Sequence, residues 1–124
     1  MRIASWNVNS AKARQDHILN YLRAGSCDVL LIQETKTQDV NFPADLYEEL
    51  GWHVHQAESP HLCILTPMKI DATFFHDPWH GLGVRVTDEA KRSFVAWSIW
   101  LDYRSYITYE LRDKPELTDA ELLA

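Results

Sequence analysis

Residues 27–33, CDVLLIQ, form an apolar run of strand length that stops abruptly at Glu34-Thr35-Lys36. Continuous apolarity suits a strand covered on both faces, as in a parallel crossover. Upstream, residues 2–7, RIASWN, alternate Ile3 and Ser5 against Ala4 and Trp6 and read as a short strand ending on Asn7. Between the two lies AKARQDHILNYLRAG, with Ile18, Leu19, Tyr21 and Leu22 at helical spacing. Ser10 is placed to cap this helix, and Gly25 to end it as a C′ glycine. Strand, helix and strand in this order predict a βαβ-type unit. Adjacent parallel strands end on one sheet edge, where ligands of open α/β sheets gather. Asn7 and Glu34 then converge there. A carboxylate and an amide oxygen are hard ligands of the kind Mg²⁺ accepts alongside waters and substrate phosphate. Asn7 also suits a plain strand-to-helix turn.

A length of 124 residues predicts a single domain, 1–124. The formal charge of −6 argues against a protein that grips nucleic acid with its whole surface, though not against a local basic cleft. Cys27 and Cys63 have no CxxC spacing, so a disulfide framework is not expected. No stretch has the pattern of a signal peptide or the length of a membrane span. The expectation is a soluble, cytoplasmic protein with no membrane partner.

Farther along, Pro43 starts a second helix, PADLYEEL, closed by Gly51. WHVHQ alternates as a strand, and HLCILT is another apolar run, stopped by Pro67. DATFFHDPWHGLG reads as a strand end followed by a loop, and VRVTDEAKR as a short strand and a charged turn. SFVAWSIWL and YRSYITYEL predict an antiparallel hairpin, and the tail DKPELTDAELLA a short helix. The fold class expected is α/β (α+β). A βαβ-like front half covers 1–66, and a divergent, strand-rich back half covers 67–124.

S-W-N-V-N-S near the start, V-L-L-I-Q-E-T-K after the first helix, and the following F-P…L-G-W-H-V resemble the exonuclease III group. These are AP endonucleases and exonucleases of the endonuclease/exonuclease/phosphatase superfamily, and the match is in register over residues 1–56. The resemblance implies a four-layer αββα sandwich, a divalent metal (Mg²⁺ or Mn²⁺), and hydrolysis of DNA phosphodiesters. It places the family's metal-binding glutamate on Glu34 and its first-strand asparagine on Asn7. Lys36 falls in the same motif, where it either sits near a phosphate or is a solvated loop lysine.

The chain departs from the family pattern in its later parts. It contains no Gly-Asp pair to match the family's G-D-x-N segment and no S-D-H tripeptide. Ser59-Pro60-His61 stands where the family has Y-N-G. SFVAWSIWLDYRSYITYEL fits either the family's next strand pair, with Tyr109 near a catalytic tyrosine, or the later W-x-D-Y-R-S region. The expectation is a shortened version of the sandwich, truncated or recombined, that holds its metal weakly.

His76, Asp77 and His80 are the place to look for a substituted acid–base group. With Cys63 or Asp77, His76 and His80 would also be candidates for zinc, although the spacing matches no closed ligand pattern. Arg104 is a further candidate for phosphate contact. The aromatic set Trp97, Trp100, Tyr103, Tyr106 and Tyr109 reads chiefly as core. A half-sized sandwich leaves one apolar sheet face in need of cover. The tryptophan-bearing strands would supply it within one chain or across a homodimer. Two functional classes follow: a Mg²⁺-dependent DNA phosphodiesterase acting on DNA, or a non-catalytic scaffold whose aromatic back half binds a partner.

Overall fold

The structure is a computed structural model that describes residues 1–37, 41–57, 61–77 and 80–101. The expected hairpin partner YRSYITYEL, the C-terminal helix and Arg104 lie outside the described residues. Nine elements follow in order: β1 (Ile3–Asn7), α1 (Gln15–Arg23), β2 (Val29–Gln33), α2 (Ala44–Glu48), β3 (His53–Gln56), β4 (Leu62–Thr66), β5 (Lys69–Asp77), β6 (Gly81–Thr87) and β7 (Ser93–Ile99).

Two sheets form. The first has the order β1-β2-β4-β3, with β1 and β2 parallel and the other neighbours antiparallel. The expected β-α-β unit is therefore present, with Asn7 opposite Gln33. Every residue of β2 and of β4 is buried. Both are inner strands of a sheet covered on both faces, so both are apolar up to their last residues, Gln33 and Thr66. Antiparallel β4 shows that the cause is double coverage rather than strand direction.

One face of this sheet packs on the helices. Ile18, Leu19 and Leu22 of α1 and Tyr47 of α2 meet Leu30, Ile32, Cys63 and Leu65. Each such aliphatic side chain contributes about 1.5–3 kcal/mol on burial. Ser10 does not cap α1 itself. Its Oγ accepts from the N–H of Ala13 at 3.2 Å and closes a preceding turn, so the helix starts at Gln15. The hydroxyl satisfies a donor in that turn instead of one in the helix. Gly25 (φ +65°) follows α1 and Gly51 (φ +84°) follows α2, both in the left-handed region that glycine adopts without steric cost.

The other face packs on the second sheet, which is antiparallel with order β5-β6-β7. Leu82, Val84 and Val86 of β6 and Ala96 of β7 meet Val29, Leu31, Leu62 and Ile64. Helix layer, four-stranded sheet and three-stranded sheet make a shortened αββ sandwich. Among the described residues no helix lies on the outer face of the second sheet.

Two expectations for the back half are corrected. Residues 69–77 form the longest described strand, where the sequence suggested a strand end and loop. A register shift between Ile70 and Ala72 and another between Phe75 and Asp77 break the alternation that would have announced it. Trp97 is not core: it stands on the outer face, 39% exposed, with Val95 and Ile99 exposed beside it. β7 does cover the first sheet, but through its small residues Ala96 and Ser98, because strand alternation puts these on the inner face and Trp97 on the outer one. Trp100 is half-buried against the inter-sheet core. Cys27 and Cys63 are free and buried.

Candidate active site

The loops leaving β1 and β2 are joined by backbone hydrogen bonds. Val8 N donates to Gln33 O (3.1 Å), Ser10 N to Glu34 O (2.9 Å) and Ala11 N to Thr35 O (2.8 Å). These bonds hold Asn7 and Glu34 on one edge. The Asn7 side-chain oxygen accepts from the Asn9 N–H at 3.2 Å, the turn geometry asparagine favours. That leaves the oxygen a second lone pair.

Four non-glycine residues in these two loops have positive φ: Asn9 (+45°), Ser10 (+91°), Glu34 (+56°) and Lys36 (+54°). Such conformations cost about 1–3 kcal/mol each and persist where the surroundings over-determine them. At Glu34 the surroundings are visible: its carbonyl is held by Ser10, and the next amide, Thr35 N, donates to His61 O at 3.3 Å. Lys36 turns back, and its ammonium donates to Asn9 Oδ1. Beside it opens a groove of about 660 Å³, lined by Lys12, Gln15, Lys36, Thr37, Asn41 and Pro43. Two lysines stand among its described lining residues.

The second sheet presents its ends to the same edge. Asp77, Gly81 and Ile99 lie in one row across β5, β6 and β7, and Ser98 bonds to Ile32 of β2. His80 therefore comes to the site. Its carbonyl accepts from Trp100 N at 3.1 Å, and its ring lies nearly parallel to the Trp100 indole, 6.0 Å between centroids. His61 stacks on the same indole at 4.6 Å and 5°. Burial lowers the His61 pKa, the charge of Glu34 raises it, and His80 lowers it further. Glu34, His61 and His80 thus share one electrostatic neighbourhood.

Of the residues nominated from sequence, Asn7, Glu34, Lys36 and His80 come together at this edge. His76 is exposed near the end of β5, its Cβ close over Gly81. Asp77 pairs with Gly81 through the backbone. The suggested zinc grouping with Cys63 does not form: Cys63 is fully buried on the helix side of β4, and no cluster of three His, Cys, Asp or Glu side chains suited to a metal exists among the described residues. The donor set at the edge is one carboxylate and one amide oxygen. That fits a Mg²⁺ or Mn²⁺ ion that takes its other ligands from water and substrate, and not a closed all-protein cage.

Sequence reasoning overlooked His61 and Ser98. His61 begins the apolar run HLCILT. Once β4 is antiparallel to β2, the first residue of β4 lies opposite Gln33, so His61 must fall beside Glu34.

No helix among the described residues is long and apolar enough to cross a membrane. A model of the Endonuclease/Exonuclease/phosphatase family matches residues 4–115. Exodeoxyribonuclease III of Haemophilus influenzae is 34% identical over 62 residues, which cover 49% of this chain and 23% of that protein. An AP endonuclease from Archaeoglobus fulgidus superposes with a TM-score of 0.69 at 22% identity, covering 90% of this chain and 47% of that one. The 3'-5' exonuclease NExo from Neisseria meningitidis superposes with a TM-score of 0.61 at 28% identity, over 69% of this chain and 38% of the other. The chain spans about a quarter of the curated relative and about half of the AP endonuclease. A family model matched over most of the chain, on a two-sheet sandwich with the Asn7–Glu34 edge in place, places this protein in the endonuclease/exonuclease/phosphatase family.

Proposed function

We propose that this chain carries the metal-binding edge of a divalent-metal-dependent DNA phosphodiesterase, an exonuclease or AP endonuclease. The observation that carries the reading is the convergence of Asn7 and Glu34 on one sheet edge, with Glu34 held in a strained backbone conformation. A bound Mg²⁺ or Mn²⁺ supplies charge to neutralise phosphoryl oxygens and lowers the barrier to water attack. Glu34 and Asn7 are the residues to hold it, weakly. Lys36 and Lys12 on the groove suit the flanking phosphates of a DNA strand. His80 is positioned to hold or pass a proton at its imidazole, as is His76 if the end of β5 approaches the substrate. Asp77 and Arg104 remain candidates for the same acid–base and phosphate roles. We treat 1–124 as one folding unit, and the two buried free thiols suit a cytoplasmic location.

The test is Mg²⁺-dependent cleavage of duplex DNA containing an abasic site, with Glu34→Ala as control. Cleavage by the wild type that is lost in Glu34→Ala supports the reading. Equal background in both proteins sinks it.

A second reading is favoured by one observation, the exposed Val95, Trp97 and Ile99 on the outer face of the second sheet. In this reading the domain is a scaffold, and the face joins two copies as a homodimer. Light scattering that gives a monomer at all concentrations would remove the dimer.

A further inference from the structure

Gln33 is the last residue of β2, buried to 8% exposure, and immediately precedes Glu34. A polar side chain in such a place costs free energy unless it is paired. Three acceptors lie within reach of its Nε2, Ser98 Oγ at 3.0 Å, Ser5 Oγ at 3.1 Å and Leu31 O at 3.2 Å, and the two amide hydrogens serve them between them. Ser98, fully buried in the other sheet, uses its own proton on Ile32 O at 2.9 Å. One hydroxyl therefore accepts from Gln33 and donates to the backbone of the residue before it. The chain of bonds Ser5–Gln33–Ser98–Ile32 spans β1, β2 and β7 and crosses between the sheets.

We propose that Gln33 and Ser98 are positioning residues for Glu34, so that the second sheet sets the direction of a carboxylate carried by the first. The proposal rests on the metal-site reading above. Its geometry is a sequence of fixed points. Gln33 is held by its side chain and, through its carbonyl, by Val8 N. Glu34 is held through its carbonyl by Ser10 N, and Thr35 N is held by His61 O. With both flanking residues held, the backbone of Glu34 keeps its positive φ and the carboxylate needs only its own rotamers. Ser98→Ala removes one acceptor from Gln33 and one donor from Ile32 O. The Gln33 amide is then free to re-pair, and the fixed point on the N-terminal side of Glu34 loosens. Partners of this kind orient metal ligands without touching the metal.

The experiment uses the full chain as wild type, Ser98→Ala, Ser98→Thr, Gln33→Met and Glu34→Ala. Mn²⁺ affinity is read from the electron paramagnetic resonance of free Mn²⁺. Amide exchange at Ser10 and Thr35 is read in metal-free protein by NMR. The expected result is an affinity loss of about tenfold in Ser98→Ala and Gln33→Met. Ser98→Thr, which keeps the hydroxyl, recovers most of it. Faster exchange at the two amides in Ser98→Ala accompanies the loss while core amides such as Leu65 stay protected. Wild-type affinity or unchanged exchange at Ser10 and Thr35 in a folded Ser98→Ala protein overturns the proposal and leaves the pair a simple tie between sheets. Wild type that binds Mn²⁺ no better than Glu34→Ala defeats the metal-site reading instead, and the exchange measurement alone then decides the positioning role.

Discussion

The indole of Trp97 lies flat on Gly83 of the neighbouring strand: a Cβ at position 83 would stand 2.8 Å from Trp97 Cδ2. β6 and β7 pair these two residues directly, and Phe74 of β5 flanks the indole at 6.0 Å between ring centroids. A glycine inside a strand often marks such a close approach. Here it lets a large aromatic lie against the sheet on a face that is otherwise open.

Gly83→Ala should therefore lift the Trp97 ring. The ring has open space on its outer side, so the alanine's gain of about 0.5–1 kcal/mol over glycine in a strand is offset rather than reversed. The expected outcome is a small change in unfolding free energy with a clear change in tryptophan emission, absent in a Trp97→Phe background. An unchanged spectrum would show that the ring does not rest on Gly83.

Glu34 stores strain at the candidate metal site. Glu34→Ala keeps the left-handed backbone and its cost of about 1–2 kcal/mol. Glu34→Gly relieves that cost but adds about 0.5–1 kcal/mol of unfolded-state entropy. Urea denaturation should find Glu34→Gly the more stable of the two by about 0.5–1 kcal/mol. Neither should respond to Mn²⁺. Equal stabilities would mean the positive φ is not strained in solution.

His55 sits between the sheets, edge-on to Phe75 at 5.6 Å, with Nε2 buried and unbonded among the described residues. Burial lowers its pKa below the ordinary 6.5. The unfolded chain therefore takes up the proton first as the pH falls. The neutral His55 contribution is complete above 6.5 and is lost below it, down to the folded-state pKa. The urea midpoint should fall between about pH 7.5 and 5.5, and His55→Leu should flatten that fall. The flattening is partial, because burial lowers the His61 pKa in the same direction. A slope identical to wild type would remove His55 from the account.

Tyr47 is fully buried, stacked on Phe42 at 5.6 Å, and its hydroxyl finds no hydrogen-bond partner among the described residues. Burial pushes its pKa up to about 12. An unpaired buried hydroxyl costs more than it contributes, so Tyr47→Phe should raise the unfolding free energy by about 1 kcal/mol. A loss of similar size would reveal a partner for the hydroxyl.

Much of the front half was legible before the structure. Gly25 and Gly51 sit at the positive φ values their positions after helices predicted. The two apolar runs ending at Gln33 and Thr66 are the inner strands of the first sheet. The back half was less legible for two physical reasons. Bulges in β5 interrupt the two-residue period that identifies a strand. Strand alternation puts the small residues Ala96 and Ser98 on the inner face and Trp97 on the outer one, over Gly83, against the usual rule that tryptophans fill the core.

By itself the sequence determined the elements of the front half and the polar ends of β1 and β2, because strand-length apolar runs, helical spacing and capping glycines are local properties. It also placed Asn7 and Glu34 at a common edge, since two parallel strands joined by a helix have little choice. Only the tertiary structure decided what surrounds that edge. The stack of His61 and His80 on Trp100, and the bond from Gln33 to Ser98, join residues 20 to 65 positions apart. They meet because the inner faces of two sheets bury their apolar surface against each other, and no local pattern records which residues that packing opposes.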